Sequence, residues 1–167
     1  ISSSDWSSDV CSSDLPILKG VSSCISPELL KVLAEMGHSD QIVIADANFP
    51  AASIASHCPG GLIRLDGHDI PRILRGICKL LPLDQYVDCP AQVMAKMECD
   101  KDMEIPIIDE YVKIMSEAEN REINVEYVER FEFYERAKKC YAVIATGETS
   151  QYANIILQKG VITNPEY

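Results

Sequence analysis

The sequence lacks the features that define several large classes of protein. No apolar run approaches the roughly 20 residues of a membrane-spanning helix, so no membrane span is expected. Basic residues are few, with 15 Lys and Arg against 26 Asp and Glu, and the formal net charge is −11. Because nucleic acids and anionic membranes attract basic surfaces, neither is expected as a partner of this acidic chain.

The sequence also lacks the patterns of a cofactor-binding protein. Its seven cysteines include no Cys-x-x-Cys pair, and the spacing of the histidines and cysteines does not match a zinc site, so we predict no metal. The run Thr146-Gly147-Glu148 follows a predicted strand without the glycine spacing of a phosphate-binding loop, so we predict no nucleotide and no other cofactor. An odd number of cysteines without a secretion signal favours free thiols in a reducing compartment, and we expect a cytoplasmic protein.

The first 15 residues differ in character from the rest of the chain. They read ISSSDWSSDVCSSDL, in which Ser-Ser-Asp occurs three times without a helical or strand period. They resemble translated sequencing-adapter DNA, so residues 1–15 are expected to be a non-native or disordered leader. Residues 16–167 have the length of one domain.

Hydrophobic periodicity and turn residues predict helices that alternate with strands. Ser26 and Pro27 mark the start of the first helix, and Gly37 is expected to end it in the left-handed conformation. The predicted strands are Gln41–Ala45, Leu62–Leu65, Ala91–Met97, Val125–Val128, Tyr141–Ala145 and Asn154–Gln158. The later helices are predicted over Pro50–Ser56, Ile70–Leu81, Glu110–Ala118 and Phe131–Lys139, with a loop over Met103–Asp109. This alternation predicts an α/β domain with a largely parallel sheet.

Two residues of the first half are candidates for chemistry. His38 follows a helix-ending glycine, and an ordinary histidine titrates near pH 6.5, so it can exchange protons at neutral pH. The alternative is a histidine that stabilises the helix C-terminus. Asp46 ends a hydrophobic strand, where ligands of α/β sheets bind, although it could equally cap the following turn. On its position alone, Asp84 is a polar loop residue.

The second half concentrates groups that suit a polyhydroxylated ligand. Arg130 can hold vicinal hydroxyls through its planar fork, with a surface ion pair as the alternative. Tyr134 and Tyr152 can exchange phenolic protons and pack on a sugar ring, or simply pack at the edge of the core. Asn154 adds an amide that donates and accepts hydrogen bonds.

Taken together, these segments resemble the family of fucose mutarotase and bacterial ribose pyranase. The matching text is SPELLKVLAEMGHSDQIVIADANFPAAS, RLDGHDIPRIL, LLPLDQYV and ERFEFYERAKKCYAVIATGETSQYANIILQKGV, which extends from about Leu18 to Val161. The run RFEFYERAKK is closer to the fucose branch than to the ribose branch. The chain departs from the family at two glycines, where Ser39 and Ala153 stand instead.

The resemblance implies a three-layer Rossmann-like fold, and homo-oligomeric rings, often decameric, with pockets at subunit contacts. It implies isomerisation of L-fucose between its α and β anomers, with ribose pyranase activity or non-catalytic sugar binding as alternatives. His38 and Tyr134 match the residues that transfer protons. The positions that match sugar-binding residues are Asp46, Arg130, Tyr152 and Asn154 and, less closely, Asp84 and Met94.

Overall fold

The computed structural model of the protein describes residues 17–165, so the predicted leader lies outside the described residues. The helices are α1 (Pro27–Glu35), α2 (Ala51–Ala55), α3 (Ile70–Cys78), α4 (Pro106–Glu119) and α5 (Arg130–Lys138), with a 3-10 turn at Glu98–Asp100. The strands are β1 (Gln41–Ala45), β2 (Leu62–Leu65), β3 (Ala91–Met94), β4 (Val125–Val128), β5 (Ala142–Thr146) and β6 (Ile155–Gln158). Within this part of the chain, every helix is too short or too polar to cross a bilayer.

The six strands form one sheet in the order β2-β5-β1-β6-β3-β4. Strands β1, β2, β3, β4 and β5 point the same way, and β6 runs antiparallel to its neighbours β1 and β3. This confirms the predicted α/β class and the largely parallel sheet. We call the end of the sheet where the five parallel strands finish its carboxyl end, and the opposite end its amino end.

Helices cover both faces of the sheet, which gives three layers. Alternate residues of a strand point to opposite faces, so Ile42 and Ile44 of β1 enter one core while Val43 and Ala45 enter the other. The first core contains the apolar sides of α1, α3 and α4, and the second contains those of α2 and α5. The sheet is therefore shielded on both faces, and its open ends are where polar side chains can gather.

The helix starts follow from local chemistry. The Ser26 hydroxyl accepts a hydrogen bond from the Leu29 N–H at 3.2 Å, as predicted for the start of α1. The Asp69 carboxylate caps α3 in the same way, accepting from the Arg72 N–H at 2.9 Å.

Three predicted boundaries were wrong by about three residues or more. Helix α3 ends at Cys78 and not at Leu81. Helix α4 starts at Pro106 and not at Glu110, so the second half of the predicted loop is helical; proline at the first turn loses no helical hydrogen bond. Strand β3 ends at Met94 and not at Met97. The Ala95 N–H still donates to the Val128 carbonyl of β4 at 2.7 Å, but the Met97 N–H donates to the Tyr152 hydroxyl instead of to a strand.

The predicted role of Gly37 was also wrong. Helix α1 ends at Glu35 and is followed by the extended residue Met36, and the left-handed residue is Ser39 with φ of 70°. The Asp40 carboxylate accepts from the Gly37 N–H at 2.7 Å and closes this turn. The strained position is thus one of the two at which the sequence departs from the family.

Candidate functional site

A cavity of about 260 Å³ opens at the carboxyl end of the sheet. Six of the eight predicted site residues line it: Asp46, Met94, Arg130, Tyr134, Tyr152 and Asn154. Ligands of α/β sheets bind at this end because several strands deliver their following loops there. We call it the Asp46 cavity.

The antiparallel strand β6 explains how Tyr152 and Asn154 reach this cavity. They precede β6, and the start of an antiparallel strand lies beside the ends of its parallel neighbours. The Asn154 Oδ1 accepts a hydrogen bond of 2.7 Å from the Asp46 N–H. Because this oxygen is engaged as an acceptor, the amide orientation is set and its NH₂ group is the part left to donate.

Asp46 is a buried carboxylate, with 7% of its surface exposed. Its Oδ1 accepts from the Asn48 N–H at 3.0 Å. Burial raises the pKa of the Asp46 carboxyl above its ordinary value, although backbone N–H groups, with that of Asn48 foremost, act against the rise. Asp46 therefore combines a fixed position with an increased affinity for a proton.

Arg130 and Tyr134 lie one turn apart on α5, so both side chains reach the same side of the helix. The Glu129 carboxylate caps this helix by accepting from the N–H groups of Phe131 and Glu132. The Arg130 guanidinium lies 4.5 Å from the centre of the Phe131 ring and has no ion-pair partner within residues 17–165. The alternative of a surface ion pair is thus not seen there.

The Tyr134 ring is held by aromatic contacts rather than by its hydroxyl. It packs edge-on against Phe49, with ring centres 5.5 Å apart, and against Phe131 at 6.4 Å. Its hydroxyl donates to no atom of the described residues. The ring is therefore fixed while the phenolic oxygen is left for a ligand.

Tyr152 is held differently, because its hydroxyl is already engaged. The hydroxyl donates to the Asp100 carboxylate and accepts from the Met97 N–H at 3.2 Å. The bond to Asp100 raises the pKa of the Tyr152 phenol. Its backbone is left-handed, with φ of 56°. Tyr152 is thus suited to shape the cavity and to contact a ligand with its ring.

Sequence reasoning missed five lining residues: Asn48, Phe49, Met97, Asp100 and Gln151. Gln151 directly adjoins Tyr152, and Asn48 and Phe49 follow Asp46 by two and three positions, so these nearby predicted residues were the available signal. Met97 and Asp100 belong to the turn after β3, and no local pattern indicated that this turn folds over the cavity. Within residues 17–165, no group of three His, Cys, Asp or Glu side chains is placed to hold a metal ion.

His38 does not line the Asp46 cavity. It precedes β1 and Asp46 follows it, so the five residues of the strand put about 16 Å between the two ends. The His38 side chain is 43% exposed and its ring lies 5.6 Å from that of Tyr86. Within one chain, the structure therefore places the two predicted proton-transfer residues, His38 and Tyr134, at opposite ends of the sheet.

Asp84 lies beside His38 and also outside the Asp46 cavity. Its side chain is 1% exposed, and its Oδ1 is 3.2 Å from the His38 Nε2. Burial acts to raise the pKa of the Asp84 carboxyl, but hydrogen bonds from the Tyr86 N–H, Gln158 and His38 outweigh it, so this pKa lies below its ordinary value. The burial of the Asp84 side chain differs from what its sequence position suggests, which is a polar loop residue.

The chain is similar to proteins of known activity. The model of the RbsD / FucU transport protein family matches residues 19–162. A fucose mutarotase from Homo sapiens is 52% identical over 151 residues, which are 89% of this chain and 97% of that protein. The crystal structure of FucU from Bifidobacterium longum matches with a TM-score of 0.82 at 51% identity, covering 86% of this chain and 99% of that one. The crystal structure of the fucose mutarotase in complex with L-fucose from Streptococcus pneumoniae has a TM-score of 0.78 at 47% identity and covers 87% and 100%.

Proposed function

Because this chain belongs to the RbsD / FucU family, we propose that it is an L-fucose mutarotase, an isomerase that interconverts the α and β anomers of the sugar. The observation that carries the proposal is the Asp46 cavity. It gathers a buried carboxylate, an unpaired guanidinium, an oriented amide and an available phenol around a space open to solvent. The sugar and the reaction are inferred from the similar proteins, which are fucose mutarotases, one of them in complex with L-fucose.

The proposed reaction needs only proton transfer. A base takes the proton of the anomeric hydroxyl, an acid protonates the ring oxygen, and the bond between the anomeric carbon and the ring oxygen breaks. The free aldehyde rotates, and the ring closes on its other face while the protons return. His38 and Tyr134 are the proposed acid–base pair, and their roles exchange between the two directions.

The remaining cavity residues hold the sugar during this exchange. Asp46 accepts hydrogen bonds from hydroxyls, while Arg130 and the Asn154 NH₂ group donate them. The Tyr152 ring and Met94 provide apolar surface, which suits the methyl group of a 6-deoxy sugar. Fixing the hydroxyls keeps the anomeric centre beside the proton-transfer groups.

We further propose that the functional form is a homo-oligomer in the cytoplasm, in which each site is shared between two copies. The support is the separation of about 16 Å between the two ends of β1, which keeps His38 and Tyr134 of one chain apart. Contact between two different surfaces of identical chains produces a closed ring when the rotation closes. Exposed apolar residues occur at both ends, with Tyr86 beside His38 and with Met97 and Phe131 at the cavity.

The first test is the exchange rate of L-fucose anomers, followed by saturation-transfer NMR. His38→Ala and Tyr134→Phe should each slow exchange at least about tenfold while the fold survives, because each removes one proton-transfer group. Wild-type rates in both variants would contradict the assignment. D-ribose is run beside L-fucose: conversion of ribose alone would indicate a ribose pyranase, and fucose binding without exchange would indicate a sugar-binding protein.

The second test asks whether the site is shared. His38→Ala and Tyr134→Phe chains with different tags are co-expressed and purified through both tags. If neighbouring copies supply the two residues, about a quarter of the sites regain both, and activity returns to about that fraction. The matched control co-expresses His38→Ala with the double variant, which can form no complete site. Equal activity in the two mixtures would refute a shared site.

A further inference from the structure

The carboxylate of Asp84 has a role that can be assigned from its contacts. Three nitrogen atoms lie within hydrogen-bond distance of it: the Tyr86 N–H donates to Oδ1 at 3.0 Å, the His38 Nε2 lies 3.2 Å from Oδ1, and the Gln158 Nε2 donates to Oδ2 at 2.8 Å. With 1% of its side chain exposed, the group has little surface left for a sugar. Among its three partners, the one ionisable side chain is the imidazole of His38, which is 43% exposed.

The segment that carries Asp84 is fixed from several directions. The Asp84 N–H donates to the Gln158 carbonyl at 3.0 Å, and the Arg121 guanidinium donates to the Asp84 carbonyl at 3.3 Å. Gly160 lies so close that a Cβ there would meet the Leu83 oxygen at 2.7 Å and the Asp84 Cα at 2.8 Å. The carboxylate is therefore held in one place relative to β6.

The loop that carries His38 is tied to the same strand end. Lys159 follows β6, and its carbonyl accepts from the Ser39 N–H while its own N–H donates to Asp40, both at 2.9 Å. The Lys159 ammonium also donates to the carbonyls of Leu33 and Met36 at the end of α1. Both partners of the His38–Asp84 pair are thus anchored to one short piece of chain.

The chemistry of the pair fixes the histidine tautomer. An ionised carboxylate only accepts hydrogen bonds, so a neutral His38 must carry its hydrogen on Nε2 to bond Asp84. The lone pair then lies on Nδ1, which has no hydrogen-bond partner among residues 17–165. Because the pKa of Asp84 is held low by its donors, the carboxylate stays ionised at neutral pH.

We propose that Asp84 is a positioning residue, which holds His38 in the tautomer whose Nδ1 exchanges the sugar proton. The inference rests on the proposed mutarotase function and refines it, because it names the nitrogen that acts. Because only 1% of its side chain is exposed, Asp84 acts through the imidazole and not as a sugar ligand. A buried carboxylate that orients a histidine in this way is a general arrangement in proton-transfer sites.

The direct test is the tautomer of His38 in the wild-type oligomer. The protein contains three histidines, so ¹³C,¹⁵N-histidine labelling and solid-state NMR of the sedimented protein resolve few signals, and the His38→Gln spectrum assigns the one required. The measurement is made at about pH 8.5, above the ordinary range of histidine titration, and the same ¹⁵N shifts report whether one or both ring nitrogens carry hydrogen. Hydrogen on Nε2 is expected; hydrogen on Nδ1 would overturn the inference.

The second test is Asp84→Asn, whose amide can donate to Nε2 and so favour the opposite tautomer. We expect kcat for L-fucose exchange to fall at least about tenfold with little change in KM, and the His38 hydrogen to move to Nδ1. Asp88→Asn is the matched control, because it removes one negative charge from an exposed position of the same loop. It should leave the rate and the tautomer unchanged.

The outcomes separate this inference from the proposed function. A raised KM with unchanged kcat in Asp84→Asn would mean that Asp84 binds sugar, and a lost rate with an unchanged tautomer would mean a purely structural role; either result overturns the inference. If the wild type fails to exchange fucose anomers, the proposed function fails, while the wild-type spectrum still decides whether Asp84 sets the tautomer. If the Asp84→Asn variant does not fold, the wild-type spectrum by itself tests the inference.

Discussion

The two ends of the sheet carry polar groups of opposite kinds. At the carboxyl end, Asp46 and Arg130 face an open cavity, and the Arg130 guanidinium has no ion-pair partner among residues 17–165. At the amino end, Asp84 is surrounded by three donors and has almost no exposed surface. Groups of the first kind are ready for a ligand, whereas Asp84 supports a neighbouring side chain. Strand β6 joins the two, since Asn154 precedes it and Gln158 ends it.

The largest expected contrast comes from making the same substitution at both ends. Asp46→Asn should slow L-fucose exchange at least about tenfold, yet should leave the protein as stable or more stable at pH 7. The reason is the raised pKa of Asp46: the unfolded chain gives up this proton at lower pH than the folded one, so the carboxylate costs stability above the folded pKa. The substitution removes that cost, and Asn can still accept from the Asn48 N–H.

Asp84→Asn should change stability in the other direction. The folded pKa of Asp84 is lowered, so its carboxylate contributes stability above the unfolded pKa near 3.9, and this contribution is lost as the pH falls through the folded value. Replacing the Asp84 carboxylate by an amide leaves one of its buried N–H donors without an acceptor. At pH 7 this should lower the free energy of unfolding by about 1–3 kcal/mol. The difference in unfolding free energy between the wild type and Asp84→Asn should decrease as the pH falls from about 5 to about 3.

Urea unfolding of both variants at one protein concentration, at pH 7 and at pH 4, measures this contrast. Equal destabilisation by the two substitutions at pH 7 would remove the distinction between the two ends. A fixed concentration is needed because oligomer stability depends on it.

A smaller effect is expected from the backbone contact that supports Asp84. Gly160→Ala should destabilise the protein by about 1–3 kcal/mol, because the new Cβ meets backbone atoms of Leu83 and Asp84 that cannot move easily. Gly67→Ala is the control, since a Cβ there has no neighbour within 4 Å and φ is not positive. Thermal unfolding of the two variants should separate them; equal midpoints would show that the contact is relaxed.

The smallest effects concern the two departures from the family pattern, and they should have opposite signs. Ser39 has φ of 70°, so Ser39→Gly should stabilise the protein by about 0.5–1 kcal/mol. Ala153 has no positive φ and is fully buried, so Ala153→Gly should destabilise it by a similar amount, about 0.5–1 kcal/mol. Of the two residues that depart from the family pattern, only Ser39 has a strained backbone. A destabilised Ser39→Gly would contradict this interpretation.

Much of the fold could be predicted, because its signals are local. The apolar periodicity of α3 and the buried strand β1 were visible in the sequence, as was the Ser26 cap of α1. The end of β3 was missed because it depends on a contact between distant segments, in which the Tyr152 hydroxyl receives the Met97 N–H, 55 positions away. The start of α4 was missed although Pro106 is a local signal for a first turn.

The candidate site divides in the same way. Residue types and a family resemblance predicted six residues that line the cavity, and strand ends indicated where Asp46 would lie. Asp100 was missed, since its place depends on how the turn after β3 folds. The separation of His38 from Tyr134 was likewise not readable from the pattern, in which both are simply sugar-site residues.

The α/β class and the acidic net charge could be read from periodicities of a few residues and from composition. The family, and with it most of the polar groups that meet at one end of the sheet, came from the resemblance of whole segments. The antiparallel direction of β6, the burial of Asp84 against His38 and the separation of His38 from Tyr134 became visible in the folded chain. The physical reason is that strand order and side-chain burial arise from packing between segments far apart in the chain, which no local pattern encodes.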